Sequence, residues 1–181
     1  MISKKIFFII FLQFSLFANS VYNINFLDFQ AKVFPKIILL DNNFEDKLLE
    51  NSVVLTILYE EIDYSVVEIL KDKIEKEYKS LKDYNLKVNS LKYSEFNRNK
   101  LSTAYILLLG KDEKILEISK ILSSNSRLTF AYDNSYLDLG VIFGLSITSK
   151  VDILLNIEAL KNSKIELQNS IFSVVKIRWE I

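Results

Sequence analysis

The sequence has no cysteine and no histidine, and its 181 residues include one proline and three glycines. Without cysteine there is no thiol nucleophile, no disulfide, no iron–sulfur cluster and no thiolate zinc site. Without histidine there is no Ser-His-Asp triad and no imidazole metal ligand. Scarce glycine and proline exclude collagen-like and low-complexity chains. Lysine plus arginine and aspartate plus glutamate both count 23, so the overall basic excess that favours nucleic acid is missing. What is present is half hydrophobic and a quarter charged, which is enough to build one domain with a real core. Any chemistry would fall to carboxylates, lysines, tyrosines or hydroxyls. No cofactor, metal or nucleic acid is expected.

Residues 1–20 read as an export signal. Lys4 and Lys5 precede an apolar run over 6–17, broken only by Gln13 and Ser15, and the small residues Ala18 and Ser20 stand two apart. A basic start, a short apolar run and a small-residue cleavage site make a secretory signal. The run is shorter than the ~20 apolar residues of a spanning helix. The expectation is a signal peptide over 1–20, a single domain over 21–181 and export across the membrane. No cysteine follows the run, which excludes a lipoprotein anchor. Removing 1–20 takes away two lysines and no acid, leaving a slightly acidic remainder.

The remainder alternates helical and strand periods. Asn25 can cap a helix over 26–40, within which Pro35 should kink or split it. Residues 52–59, SVVLTILY, suit a central strand covered on both faces. A helix over 65–81 follows, with Ser65 and Glu68 at capping-box spacing. Strands are expected at 86–93, 103–109 and 128–132, with a helix at 111–122. Residues 140–147 and 151–155 are strands separated by Thr148, Ser149 and Lys150, a link short enough only for an antiparallel hairpin. Residues 157–162 have room for one or two helical turns, and 170–177 suggest a terminal helix. The sum is an α/β single domain: a mixed β-sheet flanked by helices, with a C-terminal antiparallel hairpin followed by a short helix.

The last third carries a further pattern. Leu128 opens LTFAYD, and Gly140 opens GVIFGLSITSKVDILLNIEALKNSKIELQNSIFSVVKI. This resembles the YfiR-like family of small periplasmic proteins. In that family an L-T-V-S-D strand precedes a glycine-led strand, a polar turn, a strand ending in Asn, a small turn and an apolar helix. Leu128 and Thr129, Gly140, Ser149 and Lys150, Asn156 and Ala159 fall at these places in order. Leu167, Ile171 and Val174 fall on the apolar positions of the last helix. The chain departs from the family in having no cysteine pair, in Gln168 and Asn169 where serines are usual, in Pro35, and in Tyr59 and Glu60 where glycines are usual. The resemblance implies a non-enzymatic regulator that binds the periplasmic segment of an inner-membrane sensor or diguanylate cyclase. Cyclic di-GMP output and biofilm formation would respond to it.

Glu60, Glu61 and Asp63 cluster just after the first strand, at the carboxyl end where α/β sheets hold ligands. They could receive a cation or a basic partner surface, but a solvated turn with negative charge near a helix N-terminus already accounts for them and is the reading the helix dipole favours. Phe172, Val175 and Trp179 make the terminal segment more apolar than one buried stripe requires, which suits a partner surface or a homodimer contact. Asp133, Ser135 and Asp138 read as a polar turn, and Asn156 as a cap for the residues after it. Gly140 and Gly144 read as bulge or close-packing glycines. Two alternatives stay open beside the regulator: a periplasmic small-ligand module using the crevice near residues 59–64, and a carboxylate-based hydrolase.

Overall fold

The computed structural model describes residues 22–178. The expected signal peptide and Trp179 therefore lie outside the described residues. The elements are α1 (Ile24–Ile38), β1 (Ser52–Tyr59), α2 (Tyr64–Glu77), β2 (Ser80–Leu81), β3 (Tyr84–Lys92), β4 (Ala104–Leu107), α3 (Asp112–Ser124), β5 (Leu128–Ala131), β6 (Phe143–Ile147), β7 (Val151–Asn156), α4 (Ile157–Ser163) and β8 (Val175–Arg178), with short 3₁₀ turns between. Eight strands form one mixed sheet in the order β2-β3-β1-β4-β5-β6-β7-β8.

The strands β3-β1-β4-β5-β6 are parallel, β6 and β7 form the antiparallel hairpin, and β8 runs parallel to β7. β1 is buried at all eight positions, as its unbroken apolar run requires of a strand covered on both faces. Its odd residues Val53, Leu55, Ile57 and Tyr59 enter the larger core with α1 and α2, while Leu58 enters a second core with α3. A chain leaving β1 for β3 and one leaving β4 for β5 move in opposite directions along the sheet. Right-handed crossovers then put α2 and α3 on opposite faces. The seam between β5 and β6 is narrow. The two strands share one paired position, Phe130 with Phe143, supplemented by the Ile142 amide donating to Thr129 Oγ1 at 3.0 Å.

Several local expectations change. The cap of α1 is Asn23, whose Oδ1 accepts from the amides of Asn25 (2.9 Å) and Phe26 (3.2 Å), so Asn25 lies inside the helix. Pro35 does not split α1. The helix is pinned on both sides of it by buried Phe34, Ile37 and Ile38, and Phe34 stacks on Phe130 with centroids 4.6 Å apart. Ser65 and Glu68 make no capping box, because α2 starts at Tyr64 with Asp63 as its cap residue. Gly140 precedes β6 and ends a 3₁₀ turn at φ 88°, a left-handed conformation that glycine adopts without strain.

The largest correction is at the C-terminus. The short helix after the hairpin is α4, capped by Asn156, whose Oδ1 accepts from the Ala159 amide at 2.9 Å. The second, terminal helix expected at 170–177 is instead a 3₁₀ turn (Asn169–Ser173) and the edge strand β8. Val175-Lys176-Ile177-Arg178 alternates with period two. Half-buried Val175 packs against the larger core, while Lys176 reaches Asp152 (2.6 Å) and Arg178 reaches Asp138 (2.7 Å). The period-two pattern and β-branched residues outweigh the helical spacing of Ile171, Val174 and Val175.

Candidate functional site

β1 and β4 are neighbours whose following connections depart in opposite directions. Their carboxyl ends therefore flank the topological switch point, where doubly wound sheets bind ligands. In this chain that crevice is filled from within by tyrosines. The Tyr22 hydroxyl donates to Asp63 Oδ2 (2.7 Å) and accepts from the Leu109 amide (2.9 Å). The Gly110 amide donates to the Tyr136 hydroxyl (2.9 Å), which donates to the Gly110 carbonyl (3.1 Å). Tyr93 donates to the Leu108 carbonyl at 2.6 Å. The Tyr132 hydroxyl accepts from the Asn23 amide at 2.8 Å, with its ring 4.6 Å from that of Tyr22. Backbone groups just past β4 that would meet a ligand are thus already satisfied.

Gly110 makes this plug possible. A Cβ there would sit 2.7 Å from Tyr93 Cε2, inside van der Waals contact. Burial pushes the hydroxyls of Tyr22, Tyr93, Tyr132 and Tyr136 above the ordinary tyrosine range, Tyr93 well above it. The neighbouring Asp63 adds to the rise at Tyr22.

The three acids after β1 stay together on the rim, and two are engaged. Asp63 takes the Tyr22 bond, and Glu61 accepts from Lys92 Nζ at 2.7 Å. Between them Ile62 is 89% exposed, and Tyr64 is 55% exposed. Sequence reasoning missed Ile62. Its available signal is an isolated aliphatic residue inside an acidic run, outside any helical or strand period.

The C-terminal candidates lie elsewhere. Phe172 is exposed, as are Val174 and Ile177, while Val175 is half-buried against the core. Five strand spacings separate β1 from β8, or roughly 24 Å. The acidic rim and the apolar edge are therefore two surfaces. The remaining polar candidates are structural. Asp133 Oδ1 accepts from the Ser135 amide (2.9 Å) and hydroxyl (2.8 Å), and Asp138 pairs with Arg178.

Among the described residues, two larger clefts lie outside the acidic cluster, the first beside Tyr132 of the plug. One, of about 660 Å³, runs between the start of α1 and the ends of β5 and β6, along Phe26, Phe29, Tyr132, Leu145 and Ile147. The other, of about 760 Å³, opens near the amino ends of β1 and β4. Among the described residues no group of three acidic side chains is placed to hold a metal ion, and no helix is long and apolar enough to cross a membrane.

These features define a three-layer, doubly wound α/β domain with a self-filled switch point. No protein-family model matches the chain, and no curated protein matches it. Among solved structures it is similar to a conserved domain protein from Vibrio cholerae O1 biovar El Tor (12% identity, TM-score 0.56, covering 85% of this chain and 60% of that one). It is also similar to an ABC domain in complex with L-Trp from Streptococcus pneumoniae (10% identity, TM-score 0.50, covering 78% of this chain and 62% of that one). The chain thus spans about three-fifths of either neighbour, and the likeness is one of fold.

Proposed function

We propose that this protein is an exported, non-enzymatic regulator that docks on the periplasmic segment of a membrane signalling protein, such as a sensor or diguanylate cyclase. The observation carrying this reading is the tyrosine-filled switch point. The crevice is occupied by the chain's own Tyr22, Tyr93 and Tyr136, and what it offers outward is a rim with Ile62 protruding between acids. A large exposed aliphatic side chain ringed by charge suits a protein interface, where a buried anchor is surrounded by a polar rim. Glu61 and Asp63 are engaged by Lys92 and Tyr22, which disfavours them as free catalytic carboxylates. Regulation by such docking requires the bound protein to favour one state of its receptor over the other. The receptor class is taken from the resemblance of about 26–177 to YfiR-like proteins, from which the structure departs at the last element, where a 3₁₀ turn and an edge strand stand in place of the apolar helix.

The test is retention of a membrane receptor by the tagged protein in a mild detergent extract of the source cells. Ile62→Asp is expected to abolish retention while the circular dichroism spectrum and melting temperature stay unchanged. Recovery of no membrane receptor by the unsubstituted protein would overturn the regulator reading. Full retention by Ile62→Asp would move the docking face away from the rim.

A second reading, a small-ligand module, has one observation in its favour: the Streptococcus pneumoniae neighbour is a complex with L-Trp. The cleft of mixed polarity along Phe26, Phe29 and Tyr132, bordered by Asp133 and Asn134, is where such a ligand would sit. A saturable rise in melting temperature with L-Trp would support it.

A further inference from the structure

The cleft near the amino ends of β1 and β4 concentrates positive charge in a chain of zero net charge. It is lined by Lys87, Arg98, Lys100 and Arg127, against the single acid Glu50. Its origin is topological. Val54 and Lys87 are partners across β1 and β3, as are Thr56 and Asn89, and on this face α3 packs farther along the sheet, over Leu58, Leu107 and Ala131. The connection from β3 to β4 crosses here with one 3₁₀ turn (Tyr93–Glu95) and no α-helix, so the sheet stays open between the stretch 98–102 and the β3 side chains.

The cations are not equivalent. Lys87 is taken by Glu50 at 3.2 Å. Arg98 and Lys100 have no ion pair among the described residues. Arg127 is half-buried, its Nη1 only grazes the Lys47 carbonyl at 3.5 Å, and its Nε is buried with no partner. Its nearest acidic influence is Asp41, which is already bonded by Lys47. A partly desolvated guanidinium without a counter-ion is half of an ion pair, and its planar donors match a carboxylate or a phosphate. Side-chain amides of Asn89 and Asn99 border the same space and can complete a polar shell, while the Ser102 hydroxyl is shared with Thr56 Oγ1 (2.6 Å) and Asn125 Nδ2 donates to the Ile121 carbonyl (2.8 Å). The volume, about 760 Å³, falls within the roughly 300–1,000 Å³ of small-molecule sites.

We propose that this cleft binds a small ligand bearing a carboxylate or phosphate group, held by Arg127 with Arg98 and Lys100. The site lies at the opposite end of β1 from the acidic rim and does not depend on the docking function. The experiment follows the melting temperature of the purified protein with sodium phosphate and with sodium citrate, each against sodium chloride at equal ionic strength. A saturable rise with either anion is expected, and the R98Q/K100Q pair should weaken it about tenfold or more. Saturation by phosphate alone identifies a phosphate ester as the class, and saturation by citrate alone a carboxylic acid. No saturable rise with either anion, or an undiminished rise in the doubly substituted protein, overturns the proposal. Neither failure alters the receptor-retention result.

Discussion

Tyr22 and Asp63 stand 41 residues apart in the chain and are joined by a 2.7 Å hydrogen bond across the carboxyl end of the sheet. The same hydroxyl accepts from the Leu109 amide, so one side chain ties the start of α1 to the connections after β1 and after β4. Tyr22→Phe removes the oxygen and leaves that amide and carboxylate to find other partners. Chemical denaturation should show a loss of about 1–3 kcal/mol with an unchanged m-value.

The plug also sets behaviour in alkali. Tyr22, Tyr93, Tyr132 and Tyr136 hold their protons more tightly folded than the ordinary tyrosine of pKa about 10. Above that pH the unfolded chain loses protons that the folded chain keeps. Their contribution is therefore complete below it and declines as pH rises. Melting temperature should fall steeply above about pH 10, with tyrosinate absorbance appearing together with unfolding. Free ionisation of these tyrosines in the folded protein would contradict the plug.

Lys47 and Asp41 form a buried ion pair between α1 and β1. Removing one partner strands the other charge, so Lys47→Met alone should cost about 3–5 kcal/mol. Adding Asp41→Leu should recover most of that loss. A thermodynamic double-mutant cycle measures both, and additivity of the two substitutions would show that the pair is not coupled.

Gly144 lies under the 3₁₀ turn that joins β5 to β6. A Cβ there would come 2.5 Å from Asn134 Oδ1, and Asn134 is held in place by its Nδ2 donating to the Leu145 carbonyl at 2.8 Å. Gly144→Ala should cost roughly 1–3 kcal/mol by forcing the turn off the strand, read as a lowered denaturation midpoint.

The layered α/β architecture was legible because its signals are long and periodic. The run of β1, the amphipathic α2 and α3, and the short polar link of the β6–β7 hairpin all appear where their patterns place them. β8 was not, because an eight-residue apolar stretch fits either period until it is known that β7 has a free edge. Pro35 misled because a proline's effect on a helix depends on the packing around it, which only the folded core supplies. The acids after β1 were singled out by the switch-point rule, and the structure places them together at the rim. The tyrosine plug beside them was not singled out, since its four side chains, spread from Tyr22 to Tyr136, meet one acid (Asp63, through Tyr22) and backbone groups only across the sheet, where no local pattern links them.

The single paired position between β5 and β6 has a mechanical consequence. The parallel ladders of β1 with β3 and of β1 with β4 run over eight and four positions, whereas one paired position, Phe130 with Phe143, and the Ile142–Thr129 hydrogen bond beside it join the two halves of the sheet. The hairpin and its edge strand are thus stitched to the rest by a thin line. In native-state hydrogen exchange the amides of β6, β7 and β8 should open together and earlier than those of β1 and β4, making the chain two cooperative blocks within one continuous sheet.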